Sequence, residues 1–353
     1  MKTIDKTKPV LVTGATGYVA GWLVKKLLEE GITVHAAVRD PGNKKKLKSL
    51  DDLAKNSKGS IHYFKSDLLE EGSFAKAMKD CELVFHTASP FTSNITDPQK
   101  ELVDPAKLGT RNVLEEVNRS KSVKRVVLTS SCAAIYSDNA DLKKTPHGIY
   151  TEDIWNTTSS LKHQAYSYSK TVAEQEAWRI NKAQSNWDLV VINPSLVLGP
   201  AVNPDNVTSE SFNIAKQFGN GTMKQGAPRM GIGAVDVRDV ALAHYNAGFT
   251  PEAKGRYIVS GHNTWFLEMA NTLRPKYGDK YPLPKKEMPK WLIWLVGPML
   301  NKFLTRKSIS LNMNLPFKAD NSKSINELGM TYRPLNESMN DMFQQLIDAK
   351  IID

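Results

Sequence analysis

The residues of this chain best equipped for chemistry are Tyr166 and Lys170, four apart in Tyr-Ser-Tyr-Ser-Lys, and the hydroxyls of Ser130 and Ser131 further upstream. On a helix that spacing puts Tyr166 and Lys170 on one face. An ammonium beside a phenol favours the phenolate, so a tyrosine held there becomes a usable general acid. A serine at a strand end can hydrogen-bond an oxygen on which charge develops. Donor, activator and oxyanion ligand together suit a carbonyl that must become an alcohol.

A tyrosine and a lysine at this spacing are more often a half-buried ring and a surface charge, so the pair gains meaning from a second motif. Val10-Leu-Val-Thr-Gly14-Ala-Thr-Gly17-Tyr-Val-Ala20-Gly21 places a glycine-rich turn between an expected strand and an expected helix. Glycines let the backbone approach a pyrophosphate, and the helix start attracts its charge. Gly14, Thr16, Gly17, Tyr18 and Val19 are the candidate contacts. At the end of the second strand an acidic residue selects NAD and an arginine selects NADP. Arg39 stands there, with Lys46 and its neighbours Lys44 and Lys45 adding positive charge. The reading is NADP(H). Asp67 and Leu68 follow the third strand and are candidates for adenine; Thr87, Ala88 and Ser89 follow the fourth, at the carboxyl edge where ligands bind.

These motifs need a scaffold that brings strand ends together. Short apolar runs at Val10 to Thr13, Thr33 to Val38, Ile61 to Phe64, Leu83 to Thr87, Arg125 to Thr129 and Leu189 to Asn193 alternate with amphipathic stretches, as parallel βαβ units do. The expected class is α/β, a Rossmann-type doubly wound parallel sheet. Beyond Asn193, prolines and glycines signal loops and a second lobe. The pattern predicts a dinucleotide domain over 1–193, to which 232–262 returns, and a smaller interleaved substrate lobe from 194–231 and 263–353.

On these residues the chain resembles the extended short-chain dehydrogenases, within them the dihydroflavonol reductase, cinnamoyl-CoA reductase and methylglyoxal reductase group. The matching stretches are TGATGYVAG at 13–21, AAVRDP at 36–41, VFHTASP at 84–90, VVLTSS at 126–131, YSYSK at 166–170, NPSLVLGP at 193–200, VDVRDVALAH at 235–244 and KGRYIVSG at 254–261. The resemblance implies Ser131, Tyr166 and Lys170 as the catalytic set, with Ser131 preferred over Ser130. It implies that Lys170 bonds the nicotinamide ribose and that Pro194, with Ser195 beside it, helps place the nicotinamide ring. The implied activity is NADPH-dependent reduction of an aldehyde or ketone. Gln164-Ala-Tyr-Ser167 stands where cinnamoyl-CoA reductases carry Asn-Trp-Tyr-Cys, which argues against a CoA thioester.

Two cysteines, Cys81 and Cys132, form no CxxC pair, so neither a disulfide framework nor a metal site is expected. Cys132 reads as a small buried hydrophobe and His163 as a helix-start residue without catalytic duty. A net charge of +10 suits an anionic ligand or surface, but no nucleic-acid motif accompanies it. The N-terminus lacks a secretory pattern and no apolar run spans a bilayer, so a cytoplasmic monomer or homodimer is expected. Pro289 to Leu300, rich in tryptophan and aliphatics, is read as an apolar wall of the substrate cleft, with core packing and a membrane-surface helix as competing readings. The competing functions are a nucleotide-sugar or sterol dehydrogenase or epimerase and an NADP(H) redox sensor without turnover; the intact Ser131, Tyr166 and Lys170 set disfavours the sensor. If Arg39 reads a 2′-phosphate, Arg39→Ala raises the KM for NADPH far more than that for NADH. Steady-state kinetics with both nucleotides check this, and equal losses would remove Arg39 from that role.

Overall fold

The structure, a computed structural model, describes residues 2–89, 95–204, 209–300 and 304–352, with the side chain of residue 300 left aside. Pro90, the last residue of the VFHTASP stretch, and Lys302 lie outside the described residues.

The first half is a βα alternation: β1 (Val10–Thr13), α1 (Tyr18–Glu29), β2 (Thr33–Val38), α2 (Lys44–Lys55), β3 (Ser60–Lys65), α3 (Ala75–Met78), β4 (Leu83–His86), α4 (Asp104–Arg119), β5 (Arg125–Thr129), α5 (Ala165–Lys182) and β6 (Asp188–Pro194). The second half continues with β7 (Leu196–Leu198), α6 (Glu210–Gly219), β8 (Ala227–Pro228), β9 (Gly231–Asp236), α7 (Val237–Phe249), β10 (Gly255–Val259), β11 (His262–Trp265) and α8 (Phe266–Tyr277). Then follow β12 (Glu287–Met288), α9 (Lys290–Leu300), α10 (Arg306–Asn312), α11 (Ser322–Leu328) and α12 (Leu335–Asp348).

Among the described residues seven strands form one parallel sheet in the order β3-β2-β1-β4-β5-β6-β10. The order reverses beside β1, which opens a crevice between the carboxyl ends of β1 and β4; ligands of doubly wound sheets sit at that switch point. Strands β1 and β4 are buried along their whole length, as continuous apolar runs covered on both faces must be. One face packs residues of α1, α2 and α7, among them Leu23, Leu27 and Val240. The other packs α3, α4 and α5 through Met78, Val113, Val117 and Ile180.

The expected strands are present, three with the same ends and three with ends shifted by one residue. Within 232–262 the structure divides what the sequence reading grouped: β10 pairs with β6 in the main sheet, whereas β9 and β11 form a separate three-stranded sheet with β7. A third core, with Phe212, Phe218, Met269, Leu273 and Phe343, lies under this smaller sheet.

Arg125, which opens β5, shows what closes the lower edge of the main sheet. Its guanidinium is buried; Nε and Nη2 donate to the two carboxylate oxygens of Asp188 at 2.8 and 3.1 Å, and Nη1 donates to the Ala247 carbonyl at 3.0 Å. Further bonds reach the carbonyls of Thr250 and Pro251. One side chain thus ties β5, β6 and the end of α7. Arg125→Leu leaves those carbonyls and a half-exposed carboxylate unpaired, and a loss of about 3 kcal/mol in unfolding free energy is expected from chemical denaturation.

Candidate active site

The crevice begins at the glycine turn. Gly14 has φ +62°, and a Cβ on it would lie 2.9 Å from the Ala88 Cβ, so a larger residue would strain the backbone and push the β1 and β4 loops apart. Gly17 is the N-cap residue of α1 and, having no side chain, supplies no cap of its own to the helix start. Thr87 and Ala88 are stitched onto β1: the Thr87 hydroxyl donates to the Thr13 carbonyl, and the Ala88 N–H donates to Thr13 Oγ1 at 3.1 Å. Ala20, where a third glycine is usual, is buried in the helix–sheet core without disturbing it.

Thr16, Gly17 and Tyr18 line a shallow cleft together with Lys46, Ser49 and Val202. Lys46 therefore faces the phosphate turn from the first turn of α2, where Asn43 caps the helix by accepting from the Lys46 N–H at 3.1 Å. Arg39 is exposed at the carboxyl end of β2. The side chain of Tyr18 turns the other way: its hydroxyl donates to the Gly199 carbonyl at 2.6 Å and its ring meets Phe212. The side chain of Tyr18 is thus committed to the second half of the chain. Val19 packs partly buried against the core. Asp67 accepts from the Leu69 N–H at 2.9 Å, shaping the loop after β3, and Leu68 borders a second cleft.

That second cleft runs between α4 and α5 and is lined by Leu68, His86, Ala88, Ser89, Lys170 and Glu174 among others. Lys170 Nζ donates to Ser89 Oγ at 3.0 Å and lies 5.8 Å from the centre of the Tyr166 ring. Tyr166 is 44 % exposed on the first turn of α5, open to a substrate. His86 is buried; desolvation and then the Lys170 charge push its imidazole down to about 3, so it stays neutral and adds no competing charge. Its Nδ1 lies 2.9 Å from Thr13 Oγ1.

The two serines separate by their partners. Ser130 is buried, and its hydroxyl is committed to Glu174. Ser131 is less buried, and its hydroxyl accepts from the Ala133 N–H at 3.1 Å, which leaves its own proton for a ligand. Cys132 is buried and its thiol is pushed up to about 12 by desolvation, an inert filler. Pro194 ends β6 against Val259, and Ser195 beside it has a buried hydroxyl with no protein partner among the described residues. No group of His, Cys, Asp and Glu among the described residues is arranged to hold a metal ion.

Two buried carboxylates that sequence reasoning passed over hold this edge. Glu174, one turn after Lys170, accepts from Asn193 Nδ2 at 2.8 Å, Arg256 Nε at 2.6 Å and the Ser130 hydroxyl. Asp138 fixes the approach to α5. His163 Nε2 lies 2.6 Å from it, Gln164 Nε2 donates to it at 3.1 Å, and Asn312 Nδ2 donates at 2.6 Å. Gln164 has φ +55°, a left-handed conformation that a residue with a Cβ adopts only when its surroundings compel it. His163, read from the sequence as a helix-start residue without catalytic duty, is one of the groups gathered on Asp138 just before α5. None of these contacts carries a local spacing signal.

A glycine turn at a sheet switch point is the geometry of a dinucleotide site, and the chain is an NAD(P)H-dependent oxidoreductase. The chain belongs to the NAD dependent epimerase/dehydratase family, whose family model matches residues 10–258, and is an extended short-chain dehydrogenase/reductase. It is 36% identical to a cinnamoyl-CoA reductase of Medicago truncatula over 97% of this chain and 96% of the relative. It is likewise 36% identical to tetraketide alpha-pyrone reductase 1 of Arabidopsis thaliana, over 98% and 97%. Among solved structures it resembles yeast methylglyoxal/isovaleraldehyde reductase complexed with NADPH, with a TM-score of 0.76 and 27% identity over 97% of this chain and 99% of the other.

If Asp138 orients the start of α5, Asp138→Leu lowers kcat by about 10²-fold, the scale of a misplaced catalytic group, while NADPH affinity stays within a few-fold. Turnover and fluorescence titration on the same preparation check this; parallel losses in both would mark Asp138 as merely structural.

Proposed function

We propose that the protein reduces the carbonyl of an aldehyde or ketone to an alcohol at the expense of NADPH, with Tyr166 as proton donor. The observation that carries this reading is the convergence at one sheet edge of a glycine turn, two basic side chains and a lysine beside an exposed tyrosine. The residues suit the nucleotide. Gly14 and the N-terminus of α1 would take the pyrophosphate, Arg39 and Lys46 the 2′-phosphate, and Asp67 and Leu68 the adenine end. Ser89 and Lys170 would take the nicotinamide ribose; Pro194 and the unpartnered Ser195 hydroxyl lie beside the ring position. The relatives support it as well: the yeast structure holds NADPH, and the Medicago and Arabidopsis relatives are reductases.

Bound NADPH supplies the hydride. Ser131 holds the carbonyl oxygen through its free proton, Tyr166 gives that oxygen its proton, and the Lys170 ammonium favours the phenolate left behind. Glu174 and Asp138 keep these groups in place without touching substrate. Residues 194–231 and 263–353 form the lobe that covers the substrate and excludes water. Aldehydes and small ketones suit the site better than a CoA thioester, because Gln164-Ala-Tyr-Ser167 replaces the pattern found in cinnamoyl-CoA reductases.

Tyr166→Phe removes only the hydroxyl. NADPH binding, read by quenching of protein fluorescence, is expected to persist while turnover falls roughly 10²- to 10⁴-fold. A Tyr166→Phe protein working at near the wild-type rate would overturn the assignment. Wild type that binds NADPH yet reduces none of a panel of aldehydes, diketones and aromatic ketones would favour a sensor.

A further inference from the structure

Helix α9 has an apolar side with no protein cover among the described residues. Its sequence, Lys-Trp-Leu-Ile-Trp-Leu-Val-Gly-Pro-Met-Leu, is apolar all round after the first residue. Such a helix belongs inside a core or against lipid. One side is used: a Cβ on Gly297 would lie 3.2 Å from Ile309 Cδ1 and 3.6 Å from Leu304 Cβ, so α9 lies tightly on α10. The other side presents Trp291, 68 % exposed, Trp294, 40 %, Leu295, 50 %, and Met299, 83 %. Their spacing of three and four residues makes one continuous stripe. None of the Lys290–Leu300 residues lines either cleft described above, so the stripe is not a wall of those clefts.

The charges around the stripe have one sign. Lys285, Lys286, Arg306 and Lys307 are exposed, and the Arg306 guanidinium lies 4.6 Å from the centre of the Trp294 ring. From Lys285 to Ala319 the chain holds one acidic residue, Glu287, and that carboxylate faces Arg229 at 3.7 Å. Lys290 is turned inward, its ammonium donating to the carbonyls of Ser310 and Met313, so it is not counted in the rim. Tryptophans over aliphatics, rimmed by basic side chains, fit the boundary between headgroups and acyl chains. A second copy of this chain fits less well, since a two-fold contact through the stripe would set two basic rims against each other. No helix among the described residues is long and apolar enough to cross a membrane, so attachment would be to one leaflet.

We propose that α9 docks the protein onto an anionic phospholipid surface, with Trp291, Trp294, Leu295 and Met299 entering the interface and Lys285, Lys286, Arg306 and Lys307 meeting the headgroups. Helix α10, which backs the stripe, ends at Asn312, the residue bonded to Asp138 beneath the catalytic helix. Surface and site are joined through that one short element.

The test is sedimentation of the full chain with phosphatidylcholine vesicles, with and without phosphatidylglycerol. Wild type is expected to pellet with the anionic vesicles, to stay in solution with the neutral ones, and to be released by added salt. Each basic side chain near an anionic surface strengthens attachment about fivefold, so Arg306→Glu with Lys307→Glu weakens it roughly 25-fold or more. Trp291→Glu with Leu295→Glu abolishes it, and the melting temperature holds because both side chains are already in water. Should that pair fail to fold, the Arg306 and Lys307 pair decides alone. Wild type that ignores anionic vesicles, or charge-reversed variants that bind as well as wild type, would overturn the proposal. So would a wild-type dimer that the Trp291 and Leu295 substitutions split, which would assign the stripe to a second copy.

Discussion

The buried carboxylate of Glu174 is the contact on which the catalytic edge depends. It sits on α5 one turn from Lys170 and binds Ser130 at the end of β5, Asn193 on β6 and Arg256 on β10. Arg256 carries the link outward, donating to the carbonyls of Glu152 and Ile154 at 2.7 and 2.6 Å and stacking 4.0 Å from the centre of the Trp155 ring. A carboxylate and a guanidinium taken out of water are costly unless nearly every lone pair and proton is met. Here those demands are met by groups from three strands and a loop, so the helix bearing Tyr166 cannot slide without leaving a buried charge unpaired. Electrostatic cost serves as a positional restraint.

A second restraint acts at the other end of the same helix. Asp138 gathers His163, Gln164 and Asn312, and Asn139 beside it reaches the carbonyls of Gly231 and Leu315 in the second half of the chain. The left-handed turn at Gln164 aims the first residues of α5 toward the crevice. Because Asn312 comes from α10, a late segment of the chain helps hold Asp138, and the two halves of the sequence meet in one polar cluster. Satisfied networks of this kind give a site one geometry rather than several.

The glycine turn works by local means. A positive φ at Gly14, a close Ala88 and a glycine at the helix start are properties of a dozen consecutive residues and one neighbouring loop. The pairing of Tyr166 with Lys170 is local too, since the two share one helix face by spacing alone. Between these local devices lies the non-local work of holding them at a fixed distance, and that is assigned to the buried polar groups. The apolar stripe of α9 belongs to neither, and it is the largest departure from the rule that such side chains are covered.

How much was legible in the chain follows from that division. The strands β1, β2, β4, β5 and β6 could be read because a parallel sheet covered on both faces needs largely apolar runs, and the placing of Tyr166 and Lys170 on one helix because their spacing within that element states the relation. The separation of β9 and β11 from the main sheet was not legible, since short strands of similar composition suit either sheet. Only the tertiary structure decided that Tyr18 turns its hydroxyl to Gly199, that Ser130 serves Glu174 while Ser131 stays available, and that His163 belongs to the Asp138 cluster. The partners in each case are 25 to 181 residues apart, apart from Ser131 and its neighbour Ala133. Sequence patterns report which groups share an element; burial and hydrogen-bond satisfaction, which pair groups from distant elements, exist only once the chain has folded.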